Sequence, residues 1–281
     1  MKVLASRLPR PAVAPGGEEG RPDEQFERRG ATEKVYLPRP VALGSRDTTE
    51  AVMRDWMKLI PESERSLYAK AGFSGDLTPG RRSALIVVDV TMGFCGSEGL
   101  SLDGAVAQYS TACGPASWIA MPKIAQLIGT FRAADLPIVY SLSDLSSGTF
   151  TGKATKGKRT GAPAPGFNDF PAAITPREQD WVLAKTKASA FFQTPLPAYL
   201  IKSGVDTLVV CGVSTSGCVR ASVVDGFSHG FKTFVVDECC FDRSQFAHAA
   251  NLFDMNAKYA SVISLEQAQR MIIGPARAAA E

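Results

Sequence analysis

From about residue 83 onward, continuous apolar runs alternate with segments whose apolar positions recur at helical spacing. Ser83 to Val88 (S-A-L-I-V-V) has the pattern of a strand buried on both faces. Trp118 to Ala134 follows the helical period, with Ile119, Ile124, Leu127, Ile128 and Phe131 as its apolar set. Further strands are expected at Leu136–Leu142, Trp181–Ala184, Thr207–Cys211, Lys232–Val236 and Ala260–Ser264. The helices between them fall at Pro195–Ser203, closed by Gly204, at Val219–His229, closed by Gly230, and at Gln245–Tyr259. Ahead of the first strand, Val52, Trp56 and Ile60 share one helical face, and Pro61 opens a second helix that ends by Gly72. Such alternation predicts an α/β fold: a single-domain, three-layer αβα sandwich around a six-stranded, mostly parallel sheet.

Two stretches break the pattern. Residues 1–44 are rich in Pro, Gly, Arg and Glu and read as an extended arm, either solvated or packed on a neighbouring subunit, ahead of a domain over 45–281. Ser143 to Pro171 is a long loop carrying Lys153, Lys156, Lys158 and Arg159. Loops of that length are usually functional or disordered. This one is expected to help close a pocket, its cations either favouring an anionic ligand or lying solvated.

Bulk numbers exclude several classes. Of 281 residues, 45% are apolar and 21% charged, ordinary for a globular chain with a substantial core. A net charge of +3 argues against nucleic acid as a partner. No apolar run reaches membrane-spanning length, and the N-terminus lacks the apolar core of a signal peptide, so a soluble cytoplasmic protein is expected. Six cysteines in so long a chain do not make a disulfide framework. With no C-x-x-C pair and only His229 and His248, neither a metal nor another cofactor is expected. His248 reads as a packed helix residue and His229 as a helix end; Cys239 and Cys240 read as packing residues at a strand end.

The chemistry concentrates in Thr207 to Gly230, T-L-V-V-C-G-V-S-T-S-G-C-V-R-A-S-V-V-D-G-F-S-H-G. Here a buried strand runs through a Gly/Ser turn into a helix with Val219, Val223 and Phe227 at its period. That places Cys218 at the first turn, where free N–H groups and the helix dipole favour an anion. The reading is a thiol that ionises readily and acts as a nucleophile; the alternative is an inert buried cysteine. In open α/β sheets ligands bind outside the carboxyl ends of the strands. Asp89 and Lys185 fall at two other such ends, suited to take the thiol proton and to hold the carboxylate charged.

These segments resemble the cysteine hydrolases of the isochorismatase-like superfamily. The resemblance is carried by A-L-I-V-V-D at Ala84 to Asp89, K-T-K-A-S-A-F-F-Q-T-P-L at Lys185 to Leu196, and C-G-V-S-T-S-G-C-V-R-A at Cys211 to Ala221, and it runs from about Tyr68 to Ser264. It implies an Asp89–Lys185–Cys218 triad, a cis peptide at Val213–Ser214, and an oxyanion hole from the N–H groups of Ser214 and Cys218. Cys218 separates the chain from true isochorismatases, which lack that cysteine. The absent Asp-x-His metal pattern, and Thr91 in place of Gln, separate it from nicotinamidases. Phe241–Arg243 (F-D-R) and Asn251–Tyr259 look most like the branch of N-carbamoylsarcosine amidase and maleamate amidohydrolase, in which the position of Arg243 binds a substrate carboxylate.

The expected function is hydrolysis of the C–N bond in a small linear amide or N-carbamoyl acid, carboxylate-bearing, with release of ammonia through a thioester. Phe94, Trp181 and Phe191 are candidate apolar pocket walls, and Thr215 a candidate substrate contact. The resemblance implies a homodimer or homotetramer. The alternatives are a catalytically idle binding or assembly module, and a thiol-dependent redox or transferase protein needing a second cysteine near Cys218.

Overall fold

The computed structural model describes residues 55–73, 75–146 and 164–278. The arm over 1–44 and the cations of the long loop lie outside that range. Residues Asp55–Leu59 form a 3-10 turn, followed by α1 (Glu62–Lys70), β1 (Ser83–Val88), α2 (Met92–Cys95), α3 (Leu102–Gln108) and α4 (Pro115–Ala133). Then come β2 (Ile138–Ser143), β3 (Trp181–Lys185), α5 (Leu196–Lys202) and β4 (Thr207–Val213). The last elements are α6 (Arg220–Ser228), β5 (Lys232–Phe241), α7 (Gln245–Lys258), β6 (Ser261–Ile263) and α8 (Leu265–Ala278).

All described strands join one sheet in the order β3-β2-β1-β4-β5-β6, and every pairing is parallel. Successive residues of a strand point to opposite faces, and both faces here are covered. Ala84, Ile86 and Val88 of β1 pack with Leu208 and Val210 of β4 against Leu200, Val223, Leu252 and Met255. Leu85 and Val87 pack with Val209 and Cys211 against Ile124, Leu127, Ile128 and Phe131 of α4 and Ile272 of α8. At about 1.5–3 kcal/mol per fully buried aliphatic side chain, these two layers fix the central strands and hence the ends of β1 and β4. No helix among the described residues is long and apolar enough to cross a membrane.

Six strands and their order of appearance match the sequence reading; several details do not. The helix expected from Trp118 begins at Pro115, and Ile119, assigned to its apolar set, is 75% exposed. Phe227 is likewise 44% exposed, while Val219 and Val223 of the same period are buried. The strand expected to stop at Val236 runs on to Phe241. Its pairing explains why: Val210 faces Val235 and Gly212 faces Cys240, so β5 advances five residues while β4 advances two. The intervening bulge carries Asp237 and Glu238, and their polarity imitated a strand end. Cys239 and Cys240 therefore lie inside a strand. The short α2 and α3 and the terminal α8 had no counterpart in the sequence reading. Val52 lies outside the described residues; Trp56 and Ile60 are buried as expected.

Candidate active site

Three neighbouring strands deliver the polar groups. Asp89 follows β1 directly, is fully buried, and holds a left-handed backbone with φ of 53°. Lys185 ends β3, two strands away, and its Nζ donates to Asp89 Oδ2 at 2.7 Å and to the carbonyl of Lys187 at 3.1 Å. Ser141 of β2 stands between them and donates from Oγ to Asp89 Oδ1 at 2.8 Å. Cys218 comes from the turn after β4, close enough for both Asp89 and Lys185 to act on its thiol. Asp89, Lys185 and Cys218, far apart in sequence, are thus brought together.

Close approach of β1 and β4 makes this meeting geometrically feasible. Gly212 has φ of +115°, and a Cβ there would lie 2.1 Å from the carbonyl oxygen of Val88. Only glycine suits both the conformation and the gap. The Val213–Ser214 peptide that follows is cis. Next comes a π-helical turn, Thr215–Val219, with a kink at Gly217, and only then α6. Cys218 therefore sits in a distorted turn ahead of the regular helix, rather than in its first turn. Asp242, at the end of β5, holds that turn: its Oδ2 accepts from Ser216 N at 2.9 Å and Ser216 Oγ at 2.7 Å. Ser222 Oγ donates to the Cys218 carbonyl at 2.8 Å and accepts from Ala190 N at 2.9 Å, fastening the turn that carries Cys218 to the segment after Lys185. The Ser214 N–H has no hydrogen-bond acceptor among the described residues.

The electrostatics revise the expected reactivity. Burial pushes the Cys218 thiol up to about 12, the Asp89 charge adds to the rise, and Lys185 opposes it. The resting thiol is protonated at neutral pH, contrary to the readily formed thiolate inferred from a helix start. Burial works against the Lys185 ammonium, but the Asp89 charge and Cys218 outweigh it, and its pKa lies above the usual lysine value. The result is a buried Asp89–Lys185 salt bridge beside a thiol whose ionisation burial opposes.

Other predicted residues are distributed differently. Arg243 is exposed; one guanidinium nitrogen donates to the carbonyl of Thr111 at 2.6 Å, and it has no carboxylate partner among the described residues. Phe94 is partly buried, its ring 5.7 Å from that of Phe167, which also covers Gly93. Phe191, expected as a pocket wall, is a core residue between His229 and Phe231. Trp181 begins β3 at the end opposite Lys185 and packs on Tyr199, so it is no wall either. Thr215, expected at the substrate, is fully buried, its hydroxyl engaged with the carbonyl of Phe241 at 3.2 Å and His248 Nδ1 at 2.8 Å. Sequence reasoning missed Ser141, Ser222 and Asp242. Only their places on the strand and helix ends flanking the nucleophile would have signalled them.

A cavity of about 560 Å³ is lined by Trp56, Lys123, Asp237, Phe241, Asp242 and His248 among others. Asp89, Lys185 and Cys218 do not line it. Among the described residues no group of three or more His, Cys, Asp or Glu is arranged to hold a metal ion.

The chain is 37% identical to maleamate amidohydrolase of Pseudomonas putida over 198 residues, covering 69% of this chain and 88% of that one. It is 27% identical to N-carbamoylsarcosine amidase of an Arthrobacter species over 213 residues, covering 73% and 76%. A cysteine hydrolase from Pseudomonas syringae pv. phaseolicola superposes with a TM-score of 0.59 at 20% identity, over 71% of this chain and 97% of that one, a likeness of fold. The Isochorismatase domain model matches residues 83–267, more than half of the chain and a span that includes Asp89, Lys185 and Cys218, and the protein belongs to that family.

Proposed function

We propose that the protein is a cysteine-dependent amidohydrolase that cleaves the C–N bond of a small linear amide or N-carbamoyl acid and releases ammonia. The observation that carries this reading is the buried Asp89–Lys185 ion pair beside the Cys218 thiol, whose ionisation both groups influence. Two relatives named as amide hydrolases support the reaction class.

In this reading Asp89 takes the Cys218 proton as sulfur attacks the carbonyl carbon, a thiol raised to about 12 needing such a base. Ser214 N–H, with no acceptor among the described residues, and Cys218 N–H stabilise the oxyanion. As the C–N bond breaks, Asp89 returns the proton to nitrogen and ammonia leaves. Water then gives a proton to Asp89 and attacks the thioester; the C–S bond breaks, the acid departs and the thiol is restored. Lys185 keeps Asp89 ionised before each transfer. Arg243, with guanidinium donors beyond the one held by Thr111, is suited to a substrate carboxylate.

The test is ammonia release from maleamate, N-carbamoylsarcosine, ureidoacrylate, nicotinamide and a neutral aliphatic amide, with wild type and Cys218→Ala. Turnover that falls at least about 10³-fold in Cys218→Ala, with an acyl adduct on Cys218 by mass spectrometry, is expected. Full activity in Cys218→Ala sinks the reading. Arg243→Ala should raise KM for the carboxylate-bearing substrates while leaving a neutral amide unaffected.

A further inference from the structure

The sheet order sets a spatial problem. Lys185 ends β3 and Asp89 follows β1, with β2 between. Neighbouring strands lie roughly 4.8 Å apart, so the lysine and aspartate side chains together must span about 10 Å, meeting over whatever β2 presents. Ser141 is registered with Val88, the residue before Asp89, on one side and with Leu183 on the other. It is fully buried. A large side chain here would stand in the path of Lys185; serine leaves the path open and adds a hydroxyl.

That hydroxyl makes two bonds to one residue. Oγ donates to Asp89 Oδ1 at 2.8 Å and accepts from the Asp89 backbone N–H at 3.2 Å. It therefore ties down both the carboxylate and the left-handed backbone that carries it. With Oδ2 held by Lys185 at 2.7 Å, each carboxylate oxygen has its own anchor. A carboxyl torsion is otherwise broad, and a proton acceptor must stay within hydrogen-bond reach of the thiol. Because Oγ already accepts from the backbone N–H, its one proton is directed to the carboxylate, an arrangement that suits the ionised form.

We infer that Ser141 is a positioning residue of the hydrolytic site, aiming the Asp89 carboxylate at the Cys218 thiol and favouring its ionised form. The inference rests on the hydrolase reading above. The titratable groups facing Asp89 are Lys185 from β3 and Cys218 from the turn after β4.

Ser141→Ala removes the hydroxyl and keeps the space. Its kcat should fall about tenfold to a hundredfold with KM changed less than about threefold, because a hydrogen bond to a charged group is lost from the reacting centre. Losing a donor to the ionised form makes the carboxyl bind its proton more tightly. The acid limb of kcat/KM should therefore move to higher pH by about one unit. Carbon-13 carboxyl NMR, with Asp89 assigned against Asp89→Asn, reads the same upward displacement without any substrate. A kcat within twofold of wild type and an unmoved Asp89 midpoint would overturn the inference. So would a loss of thermal stability with the midpoint unmoved, since that marks a purely structural role. Cys218→Ala run in parallel separates the failures: an active Cys218→Ala removes the hydrolase reading, while the Asp89 midpoint still decides whether Ser141 holds the carboxylate.

Discussion

Replacing Lys185 by methionine tests the buried ion pair most directly. Its side chain is 3% exposed and that of Asp89 0%, with 2.7 Å between Nζ and Oδ2. Solvent neither screens this pair nor can replace a missing partner. Lys185→Met preserves most of the aliphatic volume but leaves Asp89 with Ser141 as its remaining side-chain donor apart from the thiol. Breaking a buried pair from one side is strongly destabilising, about 3–5 kcal/mol, because a carboxylate is left in low dielectric without a counter-charge. That is a large share of a typical stability of about 5–15 kcal/mol. Urea unfolding of wild type and variant at pH 7 is the assay. The double variant Asp89→Asn with Lys185→Met should be less destabilised than the two single losses summed. A Lys185→Met loss under about 1 kcal/mol would refute the reasoning.

Other outcomes follow from the same geometry. Cys218, with its pKa pushed to about 12, should react with iodoacetamide at pH 7.5 roughly 10³-fold more slowly than a free cysteine thiol; rapid alkylation would contradict a protonated resting thiol. Gly212→Ala forces a Cβ to 2.1 Å from the Val88 carbonyl oxygen at φ of +115°. It should cost at least about 3 kcal/mol, read by thermal unfolding, and a near-wild-type midpoint would disprove the close approach. His248 has a pKa lowered by burial, with Asp242 and Asp237 opposing. Its folded pKa thus lies below the unfolded value near 6.5, and the stability tied to neutral His248 is present above that pH and lost as pH falls through the folded pKa. His248→Gln should flatten that component of an unfolding series between pH 8 and 5.5; identical slopes would count against it.

Much of the fold was legible because a strand buried on both faces writes a run that few other elements imitate. Ser83 to Val88 and Leu208 to Cys211 are of that kind. The long β5 was not legible, since its bulge puts Asp237 and Glu238 where a strand end is expected. Ile119 and Phe227 misled in the opposite sense, as exposed apolar residues at helical spacing look like core from sequence. At the site, Asp89, Lys185 and Cys218 could be singled out as chemically capable residues at strand ends. Ser141 could not, because a serine in an apolar strand signals nothing until the strand order places it beside Asp89.

Strand order also explains why the site needs that third strand. The chain leaves β1 for β2 and β3, then returns across the sheet to β4 on the other side of β1. Asp89 and Cys218 thus leave adjacent strands where the direction of winding reverses, the crevice in which open α/β sheets bind ligands. A lysine placed after β1 or β4 would compete for the room a substrate carbonyl requires. Supplied from β3, it reaches Asp89 from the far side over the small Ser141. In the proposed reaction, the carboxylate is then held from the β2–β3 side and meets the thiol on the β4 side. This division leads to an asymmetric expectation for enlarging residues. Ser141→Leu should remove the Lys185 contact, and with it activity, although residue 141 never touches substrate. Surface plasmon resonance with an unreactive substrate amine analogue should show binding largely retained while ammonia release is lost. Loss of both together would place Ser141 at the substrate instead.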